Sequence, residues 1–344
     1  MLGWAPSKGK ERPPDRRERS REVVATSSEE SHNEVAAGRR FYGIAGLTVQ
    51  VESDLPITDT TFEPKFAAFE VAGPGADTMV VRLHFGLPAI DESTLGREVY
   101  RRTPWVIYRS PAQITYIMVR PDDVCECVVF ASPDHATIDV FNGERREQFY
   151  REGDVNALTM MPTDQIVLAR VLADRQACFL HSCGVIVDGR GLLFVGHSGA
   201  GKSTMMTMLA AAAGEALCDD RNIVRIWDDG IRVYGCWSHG EVPIVSAASA
   251  PLGAVLFLRQ ATTNRVVPLT ASEEILGHLL PCVIKPLVTA DWWERTLDVV
   301  GRIVSDVPCY VVEFDKGGAV VALVRDLVAG QIAGGQSASA GARA

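Results

Sequence analysis

A chain of 344 residues, 47% hydrophobic and 22% charged, has enough apolar material for one large domain or two modest ones, with the composition of an ordinary globular protein. Its formal net charge of −9 argues against a nucleic-acid-binding body. No apolar run reaches the length of a membrane span and no signal-peptide-like segment opens the chain, so a cytoplasmic location without a membrane partner is the expectation.

Residues 1–40 differ from everything after them. Seven Lys or Arg fall between Lys8 and Arg21, followed by a polar, acidic stretch. Apolar residues are too sparse there to repay ordering, so a disordered basic tail is expected. Arg16, Arg17, Arg19 and Arg21 form either a solvated charge run or an arm for an acidic partner.

Residues 41–160 read as a β-rich domain. Short alternating or β-branched runs recur at 47–51, 79–83, 114–119, 127–130 and 137–140. Turn residues such as Gly73-Pro74-Gly75 and Asn142-Gly143 separate them. His84 and His135 stand alone on or beside these strands and read as structural. The eight cysteines include no C-x-x-C pair; reduced core thiols are the expectation, with no structural zinc.

Residues 161–333 alternate helical and strand patterns, the mark of an α/β domain. A helix is expected over 164–173, then apolar runs at 178–187 and 192–195 joined by the hairpin turn Asp188-Gly189-Arg190-Gly191. A helix follows over 205–213 and a buried strand over 216–218. A hairpin covers 223–227 and 231–234. Strands at 254–258 and 309–312 and helices at 273–280, 292–304 and 320–328 complete the pattern. Residues 334–344 are small and polar, and disorder is expected there.

Within this half, residues 196–204 read Gly-His-Ser-Gly-Ala-Gly-Lys-Ser-Thr, and Gly196, Gly201, Lys202 and Ser203 match the Walker A pattern G-x-x-x-x-G-K-[ST]. An apolar run ends at Val195 and good helix formers begin at Met205, the strand–loop–helix context this motif needs. The stretch from Gly196 through His197, Ser198, Gly199, Ala200 and Gly201 to Lys202, Ser203 and Thr204 is therefore the expected ATP-binding loop. Glycines let the backbone close on phosphate oxygens, Lys202 supplies the cation, and Ser203 offers a hydroxyl to Mg²⁺.

Two further features carry chemistry. Asp219-Asp220 end the strand after the loop, where Mg²⁺ needs a second anchor and a hydroxyl needs a base. His181, on the strand before the hairpin, is placed to reach a transferred phosphate as a cation or hydrogen-bond donor, or else is structural.

Leu180-His181-Ser182, the hairpin, the Gly196–Ser203 loop and Asp219-Asp220 together resemble the catalytic domain of HPr kinase/phosphorylase, whose P-loop fold is related to phosphoenolpyruvate carboxykinase. The likeness spans roughly residues 165–330, and the spacing from Lys202 to Asp219-Asp220 matches it. It implies an α/β P-loop kinase domain in which His181 assists at the phosphate, Lys202 binds the triphosphate, Ser203 binds Mg²⁺ and Asp220 accepts the substrate proton. The family's glutamate-bearing segment and glycine-rich signature are missing. Gly235 to Glu241 stands in that place, making Glu241 a candidate second metal ligand beside Asp219. The chain is more similar to the HPr-kinase-related proteins that accompany peptide-modification gene cassettes.

The favoured expectation is a Mg·ATP-dependent kinase acting on a serine or threonine hydroxyl of a protein or peptide phosphoacceptor. A small-molecule kinase or carboxykinase-like enzyme, and a nucleotide-binding regulatory module, are the alternatives. A homo-oligomer is left open.

Overall fold

The computed structural model describes residues 38–341 except 123, 213 and 286, with side chains described as far as residue 330. The basic stretch up to residue 37, its four arginines included, lies outside the described residues, as do 342–344.

The first half builds an eight-stranded sheet. Its strands are β1 (Arg39–Ile44), β2 (Leu47–Ser53), β3 (Thr78–Phe85), β4 (Arg97–Arg102), β5 (Trp105–Arg109), β6 (Ile114–Val119), β7 (Cys125–Ala131) and β8 (Thr137–Asn142). They lie in the order β1-β2-β3-β8-β7-β6-β5-β4, and only β2–β3 and β3–β8 are parallel. Helix α1 (Glu144–Glu152) follows. Arg39 and Arg40 belong to β1 rather than to the tail. The strand pairs with β2 through six residue pairs, and Arg40 meets Asp59 at 2.8 Å and Glu70 at 3.0 Å. β4 was not legible because its exposed arginines break any apolar alternation; pairing with β5 holds it in the sheet. His84 is bound between Asp54 and Asp139, and buried His135 meets the Tyr116 hydroxyl at 2.7 Å. Both histidines are structural.

The second half contains α2 (Gln165–Ala173), the hairpin β9 (Ala177–Val187) and β10 (Arg190–Val195), then α3 (Lys202–Ala211). Next come β11 (Glu215–Cys218), β12 (Arg221–Trp227), β13 (Gly230–Tyr234), β14 (Ser249–Gln260) and β15 (Arg265–Leu269). Helices α4 (Ser272–Leu279) and α5 (Ala290–Asp306), strand β16 (Cys309–Phe314) and helix α6 (Val320–Gly341) end the fold. β15 carries Pro268, which cannot donate to a ladder, and it accordingly forms the sheet edge beside β16. Helix α6 runs on through Gly341 in place of the disorder expected from residue 334; its alanines favour helix and outweigh the small polar residues.

Two long strands turn a corner. β9 pairs with β12 through His181 and with β10 from Ser182 onward. β14 pairs with β13 at 249–251, then runs parallel to β10 and β16. In the parallel part, alternate side chains face opposite layers. Leu193, Val195, Val255 and Phe257 pack with Ile275, Leu279, Trp292 and Val300 of α4 and α5. Leu192, Phe194, Ala254 and Leu256 pack with Met205, Met206 and Leu209 of α3 and Val324 of α6. Burial on both faces explains why these strands read as unbroken apolar runs.

The protein is thus a mixed α/β structure with two large sheets. One core cluster continues from the first sheet into α2, Phe179, Ile223 and Trp237. Trp237, 2% exposed, stands edge-on to Phe66 and Phe69 at ring separations of 5.4 and 5.1 Å. Arg175 meets Asp77 at 2.6 Å, and Arg225 donates to the Ala45 carbonyl at 2.7 Å. Replacing Trp237 with Ala is expected to lower unfolding free energy by about 3–5 kcal/mol through the cavity it leaves. Chemical denaturation measures this; a loss under about 1 kcal/mol would mean the contact does not hold the halves together.

Candidate functional site

Residues 196–201 connect the end of β10 to the start of α3. Two glycines there adopt left-handed backbone, Gly199 at φ +80° and Gly201 at φ +100°. A β-carbon at Gly201 would stand 2.6 Å from Phe314 Cζ, and one at Gly196 would stand 2.8 Å from the Ala200 β-carbon. Each glycine is therefore required by close approach, backbone conformation or both.

Lys202 is 8% exposed, and its Nζ donates to the carbonyls of Gly196 at 2.9 Å and His197 at 3.2 Å. The cation is held across the mouth of its own loop. Ser203 and Thr204 occupy the first turn of α3 and are partly exposed, while His197, Ser198 and Gly199 are exposed and Ala200 is buried. Among the described residues, the backbone N–H groups of Gly199, Gly201, Lys202 and Ser203 have no protein acceptor. Unpaired donors at a helix N-terminus beside a lysine favour an anion.

The loop walls a cleft of about 880 Å³. His181, the end of β14 from Phe257 to Gln260, and the Gly277–Cys282 region at the end of α4 form its other sides. The volume falls in the range of cofactor-sized sites. Gln260 donates through Nε2 to the Gly199 carbonyl at 2.7 Å and pins the exposed side of the loop. Nothing in the sequence marked Gln260, because its role depends on the parallel pairing of β14 with β10.

The strand registers bring the distant residues together. Val195 pairs with Ser182, so His181 stands opposite the first residue of the loop. His181 in turn pairs with Arg221, which places the Asp219-Asp220 turn beside it. Nδ1 of His181 lies 2.9 Å from Asp220 Oδ1 and 3.1 Å from the Asp220 carbonyl. The second oxygen, Oδ2, is 2.6 Å from Arg221 Nη1. Burial raises the pKa of Asp220, but the His181 hydrogen bond and the charges of Arg221 and Lys202 outweigh it, and the carboxyl sits below its ordinary range. Arg221 was absent from the sequence reading. Its signal was adjacency to the aspartate pair.

Asp219 points elsewhere, as expected of neighbours at a strand end. It is 3% exposed; Oδ2 accepts from the Val242 N–H at 3.0 Å, and Oδ1 is buried without a partner. Gly240 packs against both aspartates. Glu241 is exposed, and among the described residues no group of three or more His, Cys, Asp or Glu forms a metal cluster. The donors fit Mg²⁺ all the same, since that ion takes one or two carboxylates and completes its shell with phosphates and water. Ser203 and the unpartnered Asp219 Oδ1 are the donors available. Asn222, fully buried, donates to the Ser182 carbonyl at 2.9 Å and the Cys218 carbonyl at 3.2 Å, securing the strands beneath the aspartates. Near them the Cys218 thiol is pulled below its ordinary value by its hydrogen bond with Cys236.

Comparison with known proteins bears on this region. Residues 150–277, less than half of the chain, match a family model described as SynChlorMet cassette protein ScmC. No match is found among curated proteins. Among solved structures, the HPr(Ser) kinase/phosphatase from Coxiella burnetii is similar at 12% identity and a TM-score of 0.30, covering 48% of this chain and 96% of that one. The matched family stretch contains His181, the 196–203 loop and both aspartates.

The lowered pKa of Asp220 has a consequence for stability. A carboxyl whose folded value lies below its unfolded value, about 3.9, contributes stability above that pH and loses it as pH falls through the folded value. Asp220→Asn is therefore expected to be less stable than the parent at pH 7, with the difference shrinking below about pH 3.9. Thermal melts at pH 7 and pH 3 test this; a difference constant across that range would remove Asp220 from the acid dependence.

Proposed function

We propose that this protein is a Mg·ATP-dependent kinase that transfers the γ-phosphoryl group to a serine or threonine hydroxyl of a protein or peptide. The observation that carries the reading is Lys202 held on the carbonyls of a glycine loop, and that loop walls the cleft that His181 lines beside Asp220. The loop amides and Lys202 bind the triphosphate. Ser203 and Asp219 would hold Mg²⁺, and the ion would supply charge neutralisation at the phosphate oxygens. The His181–Asp220 pair receives the acceptor proton. Phosphoryl transfer asks a protein mainly for positioning and charge, and these residues supply both.

The peptide acceptor follows from the sequence resemblance. Lys202→Ala removes the loop cation, and Ser203→Ala removes a metal donor. Each is expected to weaken Mg·ATP binding by about tenfold or more, the scale of a charged hydrogen bond. Asp219→Asn is expected to raise the Mg²⁺ concentration needed for half-maximal binding. Titration calorimetry with Mg·ATP checks all three, and unchanged affinity in both Lys202→Ala and Ser203→Ala would overturn the assignment of the loop. Labelled ATP offered with serine- and threonine-containing peptides and with metabolites tests the acceptor. Labelling of metabolites alone favours a small-molecule kinase, and ATP binding without any labelled acceptor favours a regulatory module.

A further inference from the structure

We propose that Nε2 of His181 is the atom that takes the proton from the acceptor hydroxyl, and that Asp220 is a positioning residue that holds the imidazole for this task. The proposal rests on the kinase reading above and reverses the division of labour implied by the sequence resemblance.

Three observations carry it. First, His181 lines the cleft beside the phosphate loop. Second, Nδ1 faces two acceptors, the carboxylate oxygen Oδ1 and the backbone carbonyl of Asp220, so Nδ1 must carry the ring proton. In the neutral ring this leaves the lone pair on Nε2, which has no protein partner among the described residues. Third, both oxygens of Asp220 are engaged, Oδ1 by His181 and Oδ2 by Arg221 at 2.6 Å. A carboxylate whose two oxygens are taken by a histidine and an arginine is placed to orient the ring. An imidazole changes charge between about pH 5 and 8 and is matched to the task.

The step balances without a further reactant. The acceptor oxygen bonds to the γ-phosphorus as the bond to the β,γ-bridging oxygen breaks. The electron pair of that bond leaves on ADP, and the hydroxyl proton passes to Nε2 and then to solvent. Charged and titratable groups surround His181. Asp220, just before β12, meets Nδ1 of the ring, and Arg221 at the start of β12 meets the other oxygen of Asp220. His197, Arg259 and His278 line the same cleft from the loop, β14 and α4.

The experiment measures transfer from γ-labelled ATP to a pool of serine- and threonine-containing peptides between pH 5 and 9, using the full chain. The wild type is expected to show a rate that rises about tenfold per pH unit on the acid side of a limb between about pH 5 and 8. His181→Ala and His181→Gln are expected to lose transfer by about 10²–10⁴-fold, retain Mg·ATP affinity by calorimetry and lose that limb. Added imidazole is expected to restore part of the rate to His181→Ala alone. Asp220→Asn is expected to keep the limb, displaced to lower pH because the ring has lost its anion, with a smaller loss of rate. A wild-type limb that persists in both His181 variants would overturn the proposal. So would a limb abolished by Asp220→Asn while His181→Ala keeps more than about a tenth of the rate. A wild-type rate that falls as pH rises would make His181 a cationic phosphate ligand instead. Absence of transfer by the wild type to any acceptor would overturn the kinase reading and this assignment with it.

Discussion

The site exists because one strand changes partner in mid-course. β9 pairs with β12 as far as His181 and with β10 from Ser182. β9 lies between β10 and β12 in one sheet, so its two neighbours carry the two sides of the site. The same residue step aligns Ser182 with Val195 and His181 with Arg221. The glycine loop and the aspartate turn, separated in sequence by a helix and a strand, are thereby fixed on either side of a single histidine. Asn222 ties these strands together by donating to the Ser182 and Cys218 carbonyls.

Rigid elements surround this seam. Both faces of the parallel part of the second sheet are covered by helices, so the loop starts from a strand that cannot shift without disturbing two cores. Gly201 against Phe314 and Gln260 on the Gly199 carbonyl fix the loop from β16 and β14. Lys202 Nζ is held in the mouth of the loop by the Gly196 and His197 carbonyls.

The first half of the chain reaches the site indirectly. Trp237 anchors the segment that runs on to Gly240 and Val242, and these residues rest on Asp219 and Asp220. The aromatic contacts with Phe66 and Phe69 therefore set where the segment over the aspartates begins. The ion pair of Arg175 with Asp77 and the Arg225 bond to Ala45 tie the same two regions farther along. What looks in sequence like a separate β-rich half shares a core with the half that holds the cleft.

The sequence by itself determined the loop and most of the second-half elements. Gly196, Gly201, Lys202 and Ser203 are a local pattern whose geometry depends on backbone freedom and helix start, both of which are short-range. The β9–β10 hairpin was legible for the same reason: Asp188 and Gly189 take the left-handed backbone that a tight two-residue turn demands. Edge strands β4 and β15 were not legible, since their residues are set by partners rather than by their own alternation. The sequence also marked His181 and Asp220 as candidates, but it held no information on their separation or on which oxygen meets which nitrogen. Only the tertiary structure decided that Arg221 occupies the second oxygen of Asp220, that Asp219 Oδ1 is left without a partner, and that Gln260 grips the loop. Those facts follow from strand register, a long-range quantity: a shift of one residue in β9 would turn His181 to the opposite face of the sheet.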